Sequence, residues 1–468
     1  MKNDLAFSSI ADLAGAIRGR RVSCVEVTQT ALDRTEKLDP LLNSYITVLP
    51  EAALSQARQM DAELDRGQYR GPFHGVPISI KDHIDTAGVR TTAGARSRMN
   101  NIPAKDSCVV RRLKRAGTVL IGKANMNKFA EGESGDNPDF GKIRNPWSRE
   151  FSPGGSSGGS GAQVAAGLVP LSIGSDNGGS IRIPAALCGI VGLKPTYGRI
   201  SLEGVFPRLY SCDHPGPMTR SVEDCTLALQ VLAGHDAGDT TTARKPVPDY
   251  SKGLRTSVRG LRIGLDREYA SRGEPEVLSA FYKATDTLRT LGADVIELTI
   301  PPYAEFLAIG NTITECEWAV AAADLYREHP GDLNVDDTAD LKAGSIIPAV
   351  DYIRATQYRS ILQREYARAT RDVDVFIAPS YPLARRPFGE YRLVQGRKFT
   401  FEDAIRYTFP FDLMGLPAIS VPSGFSDDGF PVGIQFIARA FDEPTAMRVA
   451  YNYEQATEWH TRRPALVA

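Results

Sequence analysis

What is scarce in this sequence narrows it first. No apolar run is long enough to cross a bilayer: the most apolar stretch, Ala162 to Ile173, is broken by Gly167 and Pro170. The N-terminal M-K-N-D-L-A-F-S-S-I lacks a signal peptide's apolar core and small-residue cleavage site. No long basic run appears, and 55 Lys and Arg against 56 Asp and Glu leave a net charge of −1. Nothing therefore invites nucleic acid or an anionic membrane surface. The six cysteines (24, 108, 188, 212, 225, 316) include no C-x-x-C pair and are expected as free thiols of a reducing compartment. The six histidines (74, 83, 214, 235, 329, 460) have no ligand-like spacing, so no metal site is expected. A cytoplasmic, soluble protein without metal or cofactor is the expectation.

What is present is ordinary in bulk and unusual in texture. Hydrophobic residues make up 42% and charged residues 24% of 468, enough to bury a large core. The first 65 residues are expected to be helical. Ser23 and Glu26 fit a capping box, with Pro40 following the helix, and Ala53, Leu54, Ala57, Met60 and Leu64 recur at helical spacing. From Gly75 onward, short apolar runs alternate with amphipathic segments. V-P-I-S-I-K-D, T-V-L-I-G-K-A-N and V-P-L-S-I-G-S-D read as strands, as do residues 261–266, 293–300, 374–380, 418–422 and 432–438. A helix is expected over about 274–291, and S-D-D-G-F as a hairpin turn between the last two strands. The alternation predicts an α/β fold: one large domain with a mixed, mostly parallel twisted sheet, helices on both faces and an N-terminal helical segment.

Residues 152–161, S-P-G-G-S-S-G-G-S-G, have linker composition, yet they run directly into an apolar segment that wants burial. A phosphate cradle is excluded, because no Gly-Lys-Ser/Thr ends the stretch. Gly155-Ser156-Ser157-Gly158-Gly159 matches G-x-S-x-G, which would make Ser157 an α/β-hydrolase nucleophile with a downstream histidine. The preceding N-P-W-S-R-E-F-S-P is a poor strand for that motif. A second Gly-Gly-Ser offers another arrangement: a strand ends at Asp176, Asn177-Gly178-Gly179 turns, and Ser180 opens a helix. Glycines let several N–H groups converge on one point, where the negative oxygen of an attacked carbonyl would develop. Lys81 is a candidate base, since in V-P-I-S-I-K-D it alternates away from Val76, Ile78 and Ile80. Its pKa would have to fall from about 10.4 to roughly 7–8, which burial without a nearby carboxylate can supply.

G-V-P-I-S-I-K-D, P-G-G-S-S-G-G-S-G-A-Q-V-A-A-G and G-S-D-N-G-G-S-I-R-I-P-A-A-L-C-G-I-V-G-L-K-P-T-Y-G-R closely resemble the amidase signature family. The resemblance is dense over about 75–225 and returns at G-L-P-A-I-S-V-P and P-V-G-I-Q-F-I. It implies one amidase signature domain over 1–468: helices over 1–65 packed on it, the signature core over 66–230, and the rest, with the substrate pocket, over 231–468. By position it implies Lys81 as base, Ser156 as relay in a cis peptide with Gly155, and Ser180 as nucleophile. The oxyanion-binding turn falls on Asn177, Gly178, Gly179 and Ser180, with Asp176 and Arg182 supporting it. The implied reaction is acyl transfer from a small-molecule amide, aryl acylamide, carbamate or urea through a Ser180 acyl-enzyme.

The resemblance thins at the pocket. Where much of the family has an aspartate after N-M, this chain has Asn127 and Lys128. Ala130 and Glu131 occupy positions that line the acyl pocket in relatives, and Tyr407, Phe409 and Phe411 are candidate walls. A stand-alone hydrolase, with a homodimer compatible, is the preferred expectation. The alternative is an amidotransferase subunit releasing ammonia from glutamine for a partner, together with a small accessory subunit. Such subunits grip the glutamine carboxylate with a basic residue, for which Arg354, Arg359 and Arg406 are candidates.

Overall fold

Buried backbone N–H and C=O groups must be paired, and apolar runs of four to eight residues without helical periodicity can pair only with one another. The computed structural model describes residues 2–389, 393–394 and 397–467. Among them, eleven strands form one sheet. In chain order these are β1 (Tyr45–Val48), β2 (Pro77–Lys81), β3 (Val119–Ala124), β4 (Leu171–Asp176), β5 (Val191–Lys194), β6 (His214–Thr219), β7 (Arg262–Leu265), β8 (Asp294–Glu297), β9 (Val375–Pro379), β10 (Ala418–Phe425) and β11 (Pro431–Ile437). Their spatial order is β1-β3-β2-β4-β6-β5-β10-β11-β9-β7-β8. Parallel pairs join β2 to β3 and β4, and β7 to β8 and β9. An antiparallel centre, including the expected β10–β11 hairpin, links these two halves into one mixed sheet.

The alternation of side chains decides which face carries chemistry. Ile78 and Ile80 of β2, Ile419 and Val421 of β10, and Ile434 and Phe436 of β11 enter one core. That core is closed by helices Val222–Leu232, Pro275–Thr290 and Glu443–Gln455. Ser79 and Lys81 alternate to the other face, as do Ala418, Ser420 and Gln435, where the short helix Arg182–Cys188 packs against β10 and β11. One face is thus largely apolar. The other buries polar side chains that must find partners among themselves.

Three expectations differ from what is observed. The first 65 residues are not all helical, since β1 pairs antiparallel with β3 at the sheet edge. Pro40 does not follow the helix but lies inside Cys24–Leu42, in its last turn. There it removes one N–H donor close to carbonyls that are leaving the helix in any case. Ser180 lies in a turn two residues ahead of the helix that begins at Arg182, not at its mouth. The block of helices Tyr303–Ala321, Val335–Ile346 and Ala349–Ala369 between β8 and β9 was also not anticipated from the sequence.

The capping box is present: Glu26 N–H donates to Ser23 Oγ (3.1 Å), and Ser23 N–H donates to Glu26 Oε2 (2.8 Å). Ser23→Ala is expected to cost about 1 kcal/mol, read as a lower urea midpoint.

Candidate active site

Three lysines are fully buried, and their partners distinguish them. Lys194 donates to the carbonyls of Leu416 (2.5 Å) and Pro195 (3.3 Å). Lys123 donates to the Ile84 carbonyl and to the hydroxyls of Thr91 (2.9 Å) and Thr86 (3.4 Å). Lys81 alone donates only to hydroxyls: Ser156 Oγ at 2.7 Å and Ser175 Oγ at 2.9 Å. A carbonyl holds an ammonium and cannot relay a proton, whereas a hydroxyl both accepts and donates. Burial pushes Lys81 down to about 7, against the opposing pull of Asp176 and Asp213.

The glycine–serine stretch sets Ser156 in place. The Gly155–Ser156 peptide is cis. A Cβ on Gly155 would lie 2.2 Å from Asn127 Oδ1, so the chain passes there only without a side chain. Asn127 N–H donates to Ser156 O (3.2 Å), and Asn127 Oδ1 accepts from Gly135 N–H (3.1 Å). Lys128, at the position where the pattern departs from much of the family, forms ion pairs with Asp139 (2.8 Å) and Asp332 (3.2 Å). Ser157 N–H donates to Ser180 O (3.2 Å), tying the loop to the second Gly-Gly-Ser. Lys81, Ser156 and residue 180 are therefore gathered at the ends of β2 and β4.

Asp176 organises the turn. Its carboxylate accepts from the N–H groups of Gly179 (2.6 Å), Ile181 (3.1 Å) and Arg182 (3.3 Å). The Arg182 guanidinium adds contacts at 2.9 and 3.0 Å, and reaches Asp412 at 2.6 Å. Burial alone would raise Asp176, but Arg182 holds it well below the usual carboxylate range. Burial and the neighbouring Asp176 push Asp412 well above that range. Gly179, expected as an oxyanion donor, is corrected by these contacts: its N–H is committed to Asp176. It shapes the turn instead, at φ 135°, where a Cβ would lie 2.5 Å from Thr408 Oγ1. The N–H groups of Asn177, Gly178 and Ser180 have no backbone acceptor among the described residues. Thr408 Oγ1 donates to Gly178 O (2.5 Å), and Asn177 Nδ2 donates to Asp213 Oδ1 (3.0 Å), fixing the turn from both sides.

A cavity of about 210 Å³ opens on Asn177 and Gly178. Glu131 and Phe409 line it. Ala130, Tyr407 and Phe411 do not, correcting the pocket expected there. Ala130 is buried beside it. Tyr407 is held in the core, its hydroxyl donating to Ala270 O (2.6 Å), and Phe411 packs among Tyr269, Tyr366 and Phe376. The candidate arginines also lie elsewhere. Arg354 is exposed and paired with Asp351, Arg359 is bound to Leu413 O and Ser211, and Arg406 stacks on Tyr303 and Tyr407. A larger apolar cavity of about 450 Å³, lined by Tyr366, Met414 and Ile437, does not reach the turn, whereas the smaller one reaches it through Asn177 and Gly178, although Lys81, Ser156 and Ser180 line neither. Among the described residues, no cluster of His, Cys, Asp and Glu could hold a metal ion, and no helix is long and apolar enough to cross a membrane. The six cysteines are unpaired.

The amidase family model matches residues 26–447. The chain belongs to the amidase family. An amidase-family relative from Methylococcus capsulatus, the A-type subunit of glutamyl-tRNA(Gln) amidotransferase, is 41% identical across 98% of this chain and 99% of its own. A solved structure, described as a vestigial protein complex that reveals the origins of an s-triazine catabolic enzyme, superposes with a TM-score of 0.91 at 33% identity, covering 96% of this chain and 98% of that one. Native peptide amidase from Stenotrophomonas maltophilia gives 0.86 at 31%, covering 99% of each. The relatives matched by sequence thus carry the amidotransferase name, where a stand-alone hydrolase was the preferred expectation. The α/β-hydrolase alternative is set aside. Ser157 Oγ donates to Ser175 O (3.1 Å) and accepts from Ser175 N–H (3.2 Å), and no histidine partners it among the described residues.

Several residues of this site carry no sequence signal of their own. Ser175, Arg208, Asp213 and Asp412 are single polar letters in otherwise unremarkable runs, and only the fold brings them to the turn. Asp176→Ala is expected to cost about 3–5 kcal/mol, because it takes one of two carboxylates from a buried guanidinium and leaves three backbone N–H groups of the turn without their acceptor. Arg354→Ala, at an exposed i,i+3 pair, should cost about 0.5 kcal/mol or less. Thermal melting of the two variants checks the contrast.

Proposed function

We propose that this enzyme cleaves an amide-type C–N bond through a covalent acyl intermediate on Ser180. The observation that carries the proposal is the buried Lys81 amine, donating only to the hydroxyls of Ser156 and Ser175. Neutral Lys81 takes the Ser156 proton while Ser156 takes that of Ser180, and the Ser180 oxygen attacks the substrate carbonyl. The oxygen anion that forms is met by the N–H groups of Asn177, Gly178 and Ser180, each worth roughly 3 kcal/mol of barrier. The proton returns by the same path to the departing nitrogen, and water, deprotonated along that path, then frees the acyl group.

A second outcome is supported by the 41% identity to an amidotransferase subunit over nearly the whole of both chains. There the released nitrogen is ammonia from glutamine, passed to a partner protein, and a small accessory subunit would belong to the assembly. Ser180, Ser156 and Lys81 act identically in both. The absence of Arg354, Arg359 and Arg406 from the cavity lining supports hydrolysis of another amide.

Ser180→Ala is expected to abolish turnover, and Lys81→Ala to lower kcat/KM by about 10²–10⁴-fold. Because Lys81 works when uncharged, kcat/KM should rise with pH through about 7 and then level off. Near-full activity of either variant at neutral pH would refute the assignment. A hydrolysis screen across primary amides, aryl acylamides, carbamates and glutamine, with Ser180→Ala as blank, identifies the substrate class. Glutaminase activity that depends on a copurifying second chain would establish the amidotransferase outcome.

A further inference from the structure

The cavity that opens on Asn177 and Gly178, in the turn leading to Ser180, has a charge balance that bears on what it admits, and its bearing on substrate choice rests on the acyl-transfer function proposed for Ser180. Among the residues lining it, Arg208 is the one cation, against the four carboxylates of Glu131, Glu315, Asp340 and Glu402. Both terminal nitrogens of Arg208 are already engaged by carboxylates. One side of its guanidinium pairs with Glu131, and the other pairs with Asp337 at 3.0 Å. Its plane is covered by Trp318, 4.0 Å away. An incoming carboxylate would have to displace Glu131 and then remain beside it.

The other three carboxylates have no such partner. Glu315, Asp340 and Glu402 form no ion pair among the described residues. Burial and the approach of Asp340 push Glu315 upward, and burial pushes Asp340 upward against the opposing pull of Arg208, with Asp337 and Asp336 adding to the rise. Burial, with Asp337 and Asp340 close by, carries Glu131 to about 7 despite Arg208. Burial is the main cause of these shifts and mutual repulsion adds to it; a cation entering among the carboxylates relieves that repulsion and an anion worsens it. Asn311 and Thr314 add neutral polar atoms, while Ile405 and Phe409 supply an apolar wall for a short methylene chain.

We propose that this cavity selects an amide whose chain carries an ammonium or amidinium group and rejects one carrying a carboxylate, with Glu131 setting the selection by occupying Arg208. The test compares kcat/KM for 4-aminobutanamide, pentanamide and succinamate, which differ chiefly in the charge at the far end. The cation is expected to exceed the anion by at least about tenfold, the factor that 1.4 kcal/mol of discrimination produces. Glu131→Gln, which loosens Arg208, should narrow that ratio severalfold. Asp340→Asn, which breaks no ion pair, should narrow it too and keeps the test open if the first variant folds poorly. Succinamate turned over as fast as 4-aminobutanamide, or faster, would overturn the proposal.

A measurement independent of turnover separates this selection from the chemistry. Ser180 is sulfonylated with phenylmethanesulfonyl fluoride in the presence of propylammonium or propionate, and labelling is followed by mass spectrometry. Stronger protection by propylammonium supports the selection, whereas equal protection, or stronger protection by propionate, overturns it and leaves Ser180 as nucleophile. Ser180 that is never labelled would sink the acyl-enzyme itself, and the selection with it.

Discussion

The arrangement depends on keeping one amine out of water without giving it a counter-ion. A buried lysine normally acquires a carboxylate, and a contact of that kind would hold it charged and useless as a base. Lys81 ends β2 on the polar face of the sheet, and its neighbours there are serines. The two nearest carboxylates are occupied elsewhere: Asp176 by Arg182 and three backbone N–H groups, Asp213 by Asn177 and the N–H groups of Arg208 and Leu209. Their charge is felt at Lys81 without being in contact with it.

The same carboxylate that stays away from Lys81 builds the turn. Asp176 draws the N–H of Gly179 inward, which leaves the flanking N–H groups free to face outward. Arg182 ties it to Asp412 on the distant segment Phe409–Leu413, and Gln435 of β11 accepts a further Arg182 proton at 3.1 Å. The turn is thus braced against a strand and a helix that arrive more than 200 residues later in the chain. Such bracing is rigid because every partner is itself buried and held in place.

How much of this could be read from the sequence depends on where the determinants lie. β2, β4 and the β10–β11 hairpin are legible because their residues alternate locally, and the alternation already separates Lys81 from Ile78 and Ile80. The glycine–serine stretch and the second Gly-Gly-Ser are legible because their composition serves no ordinary core. Gly179's real task was not legible: a glycine reads the same whether its N–H faces a ligand or a carboxylate three residues back. Tyr407 and Phe411 failed as pocket walls because an aromatic residue gives no sign of which side of a turn or a short helix it will occupy. The helices over 303–369 escaped because their apolar faces are weak. Several of their large apolar residues, Val320, Ile346 and Ile353 among them, remain on the surface.

Those late helices have a consequence of their own. Leu307, Asn311, Thr314, Glu315, Trp318 and Asp340 all come from the insertion between β8 and β9, whereas Lys81, Ser156 and Ser180 come from the first half of the chain. The insertion supplies only part of the cavity wall, since Glu131 and Arg208 come from the same half of the chain as Lys81, Ser156 and Ser180. Substitutions in the insertion therefore reshape one side of the cavity while leaving the residues around Lys81 untouched.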